Sequence, residues 1–212
     1  MDSVRNLLGS NRIVPVVKIE DAARAVDLQA ALVDAGITII EITFRTDAAA
    51  AAIEACRASA GSMVVGAGTV RTIEQVDRAI DAGAEFLVAP GFSRTITEYA
   101  LKKGVPHIPG TITPTEVEMA TELGLDVLKF FPAEQAGGPG FLKSLGAVYP
   151  GIGFMPTGGV NAGNIKDYLA LPNVLACGGS WMVKPEWINA GEFGVIRKTA
   201  AEALKAISQT ES

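Results

Sequence analysis

A chain of 212 residues with 49% hydrophobic and 19% charged side chains has the material for one extensive interior and is too apolar to stay disordered. Its net charge of -5 supplies no basic stripe to track a phosphodiester backbone, which argues against nucleic acid as a partner and leaves room only for a local pocket that takes a small anion. No linker or low-complexity tract divides the chain, so residues 1–212 read as one domain.

The opening MDSVRNLLGSNR has neither the apolar core nor the cleavage site of a signal peptide. The uncharged interval between Lys143 and Lys166 is interrupted by Pro150, Pro156 and glycines, which excludes a spanning helix there. Cys56 and Cys177 are far apart and form no metal-binding spacing, as expected of reduced packing thiols in a cytoplasmic protein.

In chain order, eight short β-branched runs follow one another. They are Ile13 to Ile19, Ile37 to Phe44, Ser62 to Val70, Glu85 to Gly91, Val105 to Thr111, Asp126 to Pro132, Gly153 to Gly159 and Asn173 to Ser180. Between them lie segments of helical spacing such as EDAARAVDLQAALVDAG and TIEQVDRAIDAG, which close on Gly36 and Gly83. Continuous apolar strands alternating with helices are the pattern of a parallel sheet buried on both faces. Eight such units in this length predict a single-domain α/β (β/α)8 TIM barrel, with an open doubly wound sheet as the alternative.

In a barrel the active site lies at the carboxyl ends of the strands. Polar residues gather there: Glu41 and Arg45 after the second run, Thr69 after the third, Lys129 within the sixth and Thr157 closing the seventh. Alternation puts Lys129 and Phe131 on one face, and Glu41, Thr43 and Arg45 on another shared face. If the Lys129 face is the interior, desolvation favours a neutral amine, and a neutral amine adds to ketones. Glu41, behind three apolar residues, would then serve as the general acid and base. Arg45 offers bidentate capture of a carboxylate. The plainer readings are a solvent-facing strand lysine and a Glu41–Arg45 salt bridge.

A second pattern stands apart from the first. PTGGVNAGNI places Gly158 and Gly159 after the seventh strand and before a helix opened by Asn161, and CGGSWMV places Gly179 and Ser180 after the eighth. Glycine turns and helix N-termini expose N–H groups to anions, and these two loops are the usual phosphate site of such barrels. The single histidine, His107, reads as a packed strand residue, and with one imidazole no His-rich metal site can be assembled. Trp181 and Trp187 read as packing or subunit contacts. The GAGTV stretch lacks a dinucleotide fingerprint, so its glycines are read as space for a ligand beside Thr69.

The stretches IIEITFRT, VVGAGTV, LVAPG, HIPGTITPTE, LKFFPAE, PTGGV and GGSWMV, in this order over nearly the whole chain, resemble the bacterial 2-keto-3-deoxy-6-phosphogluconate aldolase family, also called 4-hydroxy-2-oxoglutarate aldolase. The resemblance implies a class I Schiff-base aldolase without cofactor or metal, usually trimeric, that splits a phosphorylated keto-acid into pyruvate and glyceraldehyde 3-phosphate. It puts the Schiff-base lysine on Lys129 and the proton-transferring glutamate on Glu41. Carboxylate binding falls on Arg45 and Thr69, further substrate contacts on Pro90, Phe131 and Thr157, and phosphate binding on Gly158, Gly159 and Ser180. Some relatives carry arginine near the end of the first strand where this chain has Lys18, which makes Lys18 a further candidate for substrate binding. Thr157 is similar to the gluconate-type members of the family. A phosphosugar isomerase or epimerase, or a non-catalytic phosphometabolite-binding barrel, would use the same glycine loops.

Overall fold

The computed structural model describes residues 4–59 and 63–208. Ser62, at the start of the third predicted strand, and the first three residues of the opening segment lie outside the described residues.

Nine parallel strands are present among them: β1 (Ile13–Val17), β2 (Ile39–Thr43), β3 (Val64–Gly68), β4 (Phe86–Val88), β5 (His107–Ile108), β6 (Gly110–Thr111), β7 (Val127–Phe130), β8 (Gly153–Pro156) and β9 (Cys177–Gly179). Helices surround them: α1 (Val4–Asn11), α2 (Ala25–Asp34), α3 (Ala49–Ala58), α4 (Ile73–Asp81), α5 (Arg94–Lys102), α6 (Pro114–Thr121), α7 (Gly138–Val148), α8 (Ile165–Leu169), α9 (Pro185–Ala190) and α10 (Phe193–Ser208). The ninth strand arises because the predicted fifth is split at Pro109, which has no N–H to give to a ladder. On one side of it β5 pairs with β4, and on the other β6 pairs with β7. The Pro109 carbonyl still accepts from Lys129 N at 2.9 Å, so β5 and β6 act as one stave.

The strand order is β5-β4-β3-β2-β1-β9 in one sheet and β6-β7-β8 in the other. Single parallel bridges, Phe154 to Val174 and Thr157 to Gly178, join the β8 stave to the β9 stave. The circuit is that of an eight-stave (β/α)8 barrel, as the alternation of elements predicts.

Local chemistry sets the helix ends. Thr72, Ser93 and Thr113 accept from the backbone of the first turns of α4, α5 and α6, and Thr113 forms a reciprocal capping box with Glu116. Gly36 and Gly83, with φ of 95° and 90°, leave α2 and α4 through the left-handed conformation that a glycine accepts without strain.

Every residue of β2, β4, β7 and β8 is buried. In β7 the outward-facing Phe130 stacks on Phe141 of α7, ring centroids 5.9 Å apart. Alternation therefore turns Lys129 towards the barrel interior. Both cysteines are buried and free; burial pushes the Cys56 thiol up to about 11 and the Cys177 thiol up as well. Among the described residues no helix is long and apolar enough to cross a membrane.

Candidate active site

A cavity of about 310 Å3 opens at the carboxyl ends of the strands. Glu41 and Thr43 of β2, Lys129 of β7, and residues following β2, β3, β4 and β7 to β9 line it. A larger cleft of about 710 Å3 lies by Arg12, Lys166 and Lys205, at the amino end of β1. Among the described residues nothing there resembles a reactive centre: the Arg12 guanidinium donates to the carbonyls of Leu169, Val174 and Leu175, and no described carboxylate lines the cleft.

The lysine in the apolar run is held in a dry place. Lys129 is 5% exposed and Glu41 0%, and Lys129 Nζ stands 3.6 Å from Glu41 Oε1. Nζ also lies 5.2 Å from the centroid of the Phe131 ring, whose face attracts a cation and whose bulk screens it from water. Glu41 accepts no hydrogen bond from any described residue, so its carboxylate is desolvated and opposed by one amine. Space for it comes from Gly68, where a β-carbon would sit 2.1 Å from Glu41 Oε1. The Glu41–Arg45 salt bridge does not form. Arg45 is exposed on the cavity wall, and among the described residues its guanidinium enters no ion pair.

Thr69 lines the same wall with φ of 57°, a left-handed conformation that a branched residue adopts only where its surroundings impose it. Pro90 reaches the cavity because Gly110 lacks a side chain: a β-carbon there would lie 2.1 Å from the Pro90 carbonyl oxygen. The Thr157 hydroxyl is buried with no partner among the described residues.

Gly158 and Gly159, with φ of 97° and 82°, join Gly179 and Ser180 on the opposite wall. Three successive carbonyls of this wall are drawn into hydrogen bonds. Thr157 O accepts from Ala133 N at 2.8 Å and Gly158 O from Glu134 N at 3.1 Å. Gly159 O accepts from the side-chain amides of Asn161 and Asn164 at 3.0 and 3.1 Å. None of these four donor residues lines the cavity, so the oxygens that would repel an anion are occupied elsewhere. The helix expected to open at Asn161 opens instead after Asn164. Both asparagine side-chain amides donate to Gly159 O, while Asn161 Oδ1 accepts from Gly163 N and Asn164 Oδ1 from Asn161 N, each at 2.8 Å. The cavity wall here is therefore made by the glycine turns and not by a helix end.

One expected residue is not brought to the site. Lys18 is absent from the cavity lining; its Nζ donates to Glu20 Oε1 at 2.8 Å. That bond, helped by Asn189, holds the Glu20 carboxyl below the usual range. Val16, Val160 and Gly178 line the cavity without having been singled out. Gly178 stands one residue before Gly179 in the same glycine pair, and Val16 shares a strand face with Val14, so only the closed barrel reveals their access to the cavity. His107 packs as expected, its Nδ1 3.1 Å from Thr97 Oγ1 and its pKa pushed down by burial to about 4. The Trp181 ring lies against Gly179, where a β-carbon would meet it at 1.7 Å.

Residues 4–199 match the family described as "Aldolase: KDPG and KHG aldolase". A 2-dehydro-3-deoxy-phosphogluconate aldolase of Treponema pallidum is 45% identical over 92% of this chain and 93% of its own. A KHG/KDPG aldolase of Escherichia coli K12 is 37% identical over 96% and 95%. The crystal structure of KDPG aldolase from Legionella pneumophila, with pyruvate captured as a covalent carbinolamine, superposes with a TM-score of 0.92 at 35% identity, covering 95% of this chain and 98% of that one.

Proposed function

The chain belongs to the KDPG and KHG aldolase family, whose chemistry is that of a carbon–carbon lyase, and from that premise we propose that it cleaves 2-keto-3-deoxy-6-phosphogluconate reversibly to pyruvate and glyceraldehyde 3-phosphate through a Schiff base on Lys129. The observation that carries this reading is the buried Lys129 amine 3.6 Å from the buried Glu41 carboxylate. Among the described residues no other carboxylate lines the cavity.

In this mechanism the Lys129 nitrogen adds to the C2 ketone to give a carbinolamine. Glu41 supplies the proton with which the hydroxyl leaves as water, and an iminium remains. The iminium withdraws electrons from C3, so the C3–C4 bond breaks as Glu41 removes the proton of the C4 hydroxyl, through a bound water where geometry requires. The bonding pair becomes the C2–C3 double bond of an enamine, and C4 departs as the aldehyde. Protonation of C3 restores an iminium, and water releases pyruvate and the free amine. Arg45 and the Thr69 turn hold the C1 carboxylate, Phe131 and Pro90 flank the reacting carbons, Thr157 meets a substrate hydroxyl, and the Gly158–Gly159 and Gly179–Ser180 walls take the phosphate.

The E. coli relative carries a double name, and we extend the proposal to 4-hydroxy-2-oxoglutarate as a second substrate that leaves the phosphate wall empty. A cytoplasmic homotrimer serving the Entner–Doudoroff pathway completes the proposal.

Incubation with pyruvate and borohydride followed by mass determination tests the central step. A covalent adduct that disappears in Lys129→Ala is expected; no adduct, or one that survives the substitution, defeats the assignment.

A further inference from the structure

Glu134 ties the carboxyl end of β7 to the glycine wall. Its backbone N–H donates to Gly158 O at 3.1 Å, and the preceding Ala133 N–H donates to Thr157 O at 2.8 Å. Its side chain lies against Gly159: a β-carbon there would meet Glu134 Cγ at 2.4 Å. The exposed carboxylate then accepts a short hydrogen bond from the hydroxyl of Tyr168, whose side chain on α8 is 0% exposed. Gly138 closes over the pair, its missing β-carbon 3.6 Å from both Glu134 Oε1 and Tyr168 Oη. Neither Glu134 nor Tyr168 lines the cavity. The chain from Lys129 to Glu134 spans five steps of backbone, so this junction sets how far the glycine wall stands from the reactive amine.

We propose that Glu134 and Tyr168 are positioning residues that fix the reach between Lys129 and the Thr157–Gly159 wall, and that they thereby select keto-acids carrying a terminal phosphate at that distance. The inference rests on the aldolase reading above. The hydroxyl of the buried Tyr168 on α8 holds the carboxylate in one rotamer, and the Glu134 side chain, its Cβ and Cγ against Gly159, holds that residue in the left-handed turn that presents the wall to an anion. Released, the wall loses its register, while the amine and Glu41, on β7 and β2, keep theirs.

The test compares two substrates in Tyr168→Phe, Glu134→Ala and Glu134→Gln. Loss of a hydrogen bond to a charged group predicts a KM for the phosphorylated keto-acid raised about tenfold in Tyr168→Phe and Glu134→Ala. The KM for unphosphorylated 4-hydroxy-2-oxoglutarate and the rate of borohydride trapping with pyruvate stay within about twofold, because neither carries a phosphate to be placed on the Gly158–Gly159 turn. Glu134→Gln, whose amide oxygen still accepts from the tyrosine, restores most of the loss. Glu134→Ala alters an exposed side chain and keeps the comparison available if removal of the buried hydroxyl prevents folding. Equal losses on both substrates, or an unchanged KM for the phosphorylated one, overturn the proposal. Absence of a pyruvate adduct in the unsubstituted chain would instead overturn the aldolase reading, and that measurement comes first.

Discussion

Gly68 and Glu41 occupy one space: the carboxylate of β2 sits where a side chain on β3 would stand, 2.1 Å from Oε1 to an ideal β-carbon. Backbone pairing places Thr43 opposite Gly68, so neither strand can slide to relieve a clash. Gly68→Ala must therefore move Glu41 away from Lys129 while leaving every catalytic group present. General acid–base assistance is worth roughly 10²- to 10⁴-fold. We expect kcat of Gly68→Ala to fall by about 10²-fold, close to that of Glu41→Gln, while pyruvate is still trapped on Lys129 at long incubation. Retention of kcat within a few-fold in Gly68→Ala would show that the Glu41 position is not critical.

Arg45 presents an exposed guanidinium to the cavity and enters no ion pair among the described residues, so its removal costs the fold little. Losing a bidentate hydrogen bond to a carboxylate is expected to lower kcat/KM by about 10- to 100-fold in Arg45→Ala. Arg45→Lys recovers only part of this, since an ammonium cannot reproduce the fork. Thermal midpoints of both variants should match the parent. A drop in stability with unchanged kcat/KM would make Arg45 structural.

Both the strengths and the gaps of the sequence reading trace to how local each signal is. Period two told which residues share a face, Lys129 with Phe131 and Glu41 with Thr43, but in strands apolar on both sides it left open which face is the interior. Which cation Glu41 meets could not be read from that pattern, because β2 and β7 face each other only across a closed barrel. Lys18 lies one residue beyond β1, where alternation no longer fixes direction and the nearby Glu20 captures it. The split at Pro109 was not read either: VPHIPGT passed as one run, although a residue without a donor stands inside it. The anchoring of the glycine wall was hidden too, since its donors come from the β7–α7 connection and from asparagines, whose side chains cap helices equally well.

His107 gives the fold a pH dependence of defined sign. Burial lowers its pKa from 6.5 to about 4, so between those values the unfolded chain binds a proton that the folded chain refuses. The contribution is fully present above pH 6.5 and is lost as pH falls towards 4, by about 3 kcal/mol. His107→Asn keeps an amide near Thr97 and removes the titration. Urea unfolding of both proteins between pH 7 and 4 should show the parent losing stability relative to the variant by about that amount. Parallel curves would mean that the imidazole takes up its proton as readily in the folded as in the unfolded chain.

Thr157 poses the opposite balance between stability and activity. Its hydroxyl is buried and finds no partner among the described residues, held beside Gly178, where a β-carbon would come within 2.3 Å of Oγ1. No hydrogen bond of the described fold explains such a hydroxyl, whose burial unpaired costs about 1–3 kcal/mol, and a substrate hydroxyl is the partner proposed for it. Thr157→Val preserves the shape and removes the polar atom. It should therefore raise the unfolding free energy of the free protein by about 1 kcal/mol. It should also raise KM for the hydroxylated keto-acid about tenfold and leave pyruvate trapping unaffected. A hydroxyl retained to bond its own fold would lose stability on this change and keep its KM, so the two measurements move in opposite directions under the two explanations.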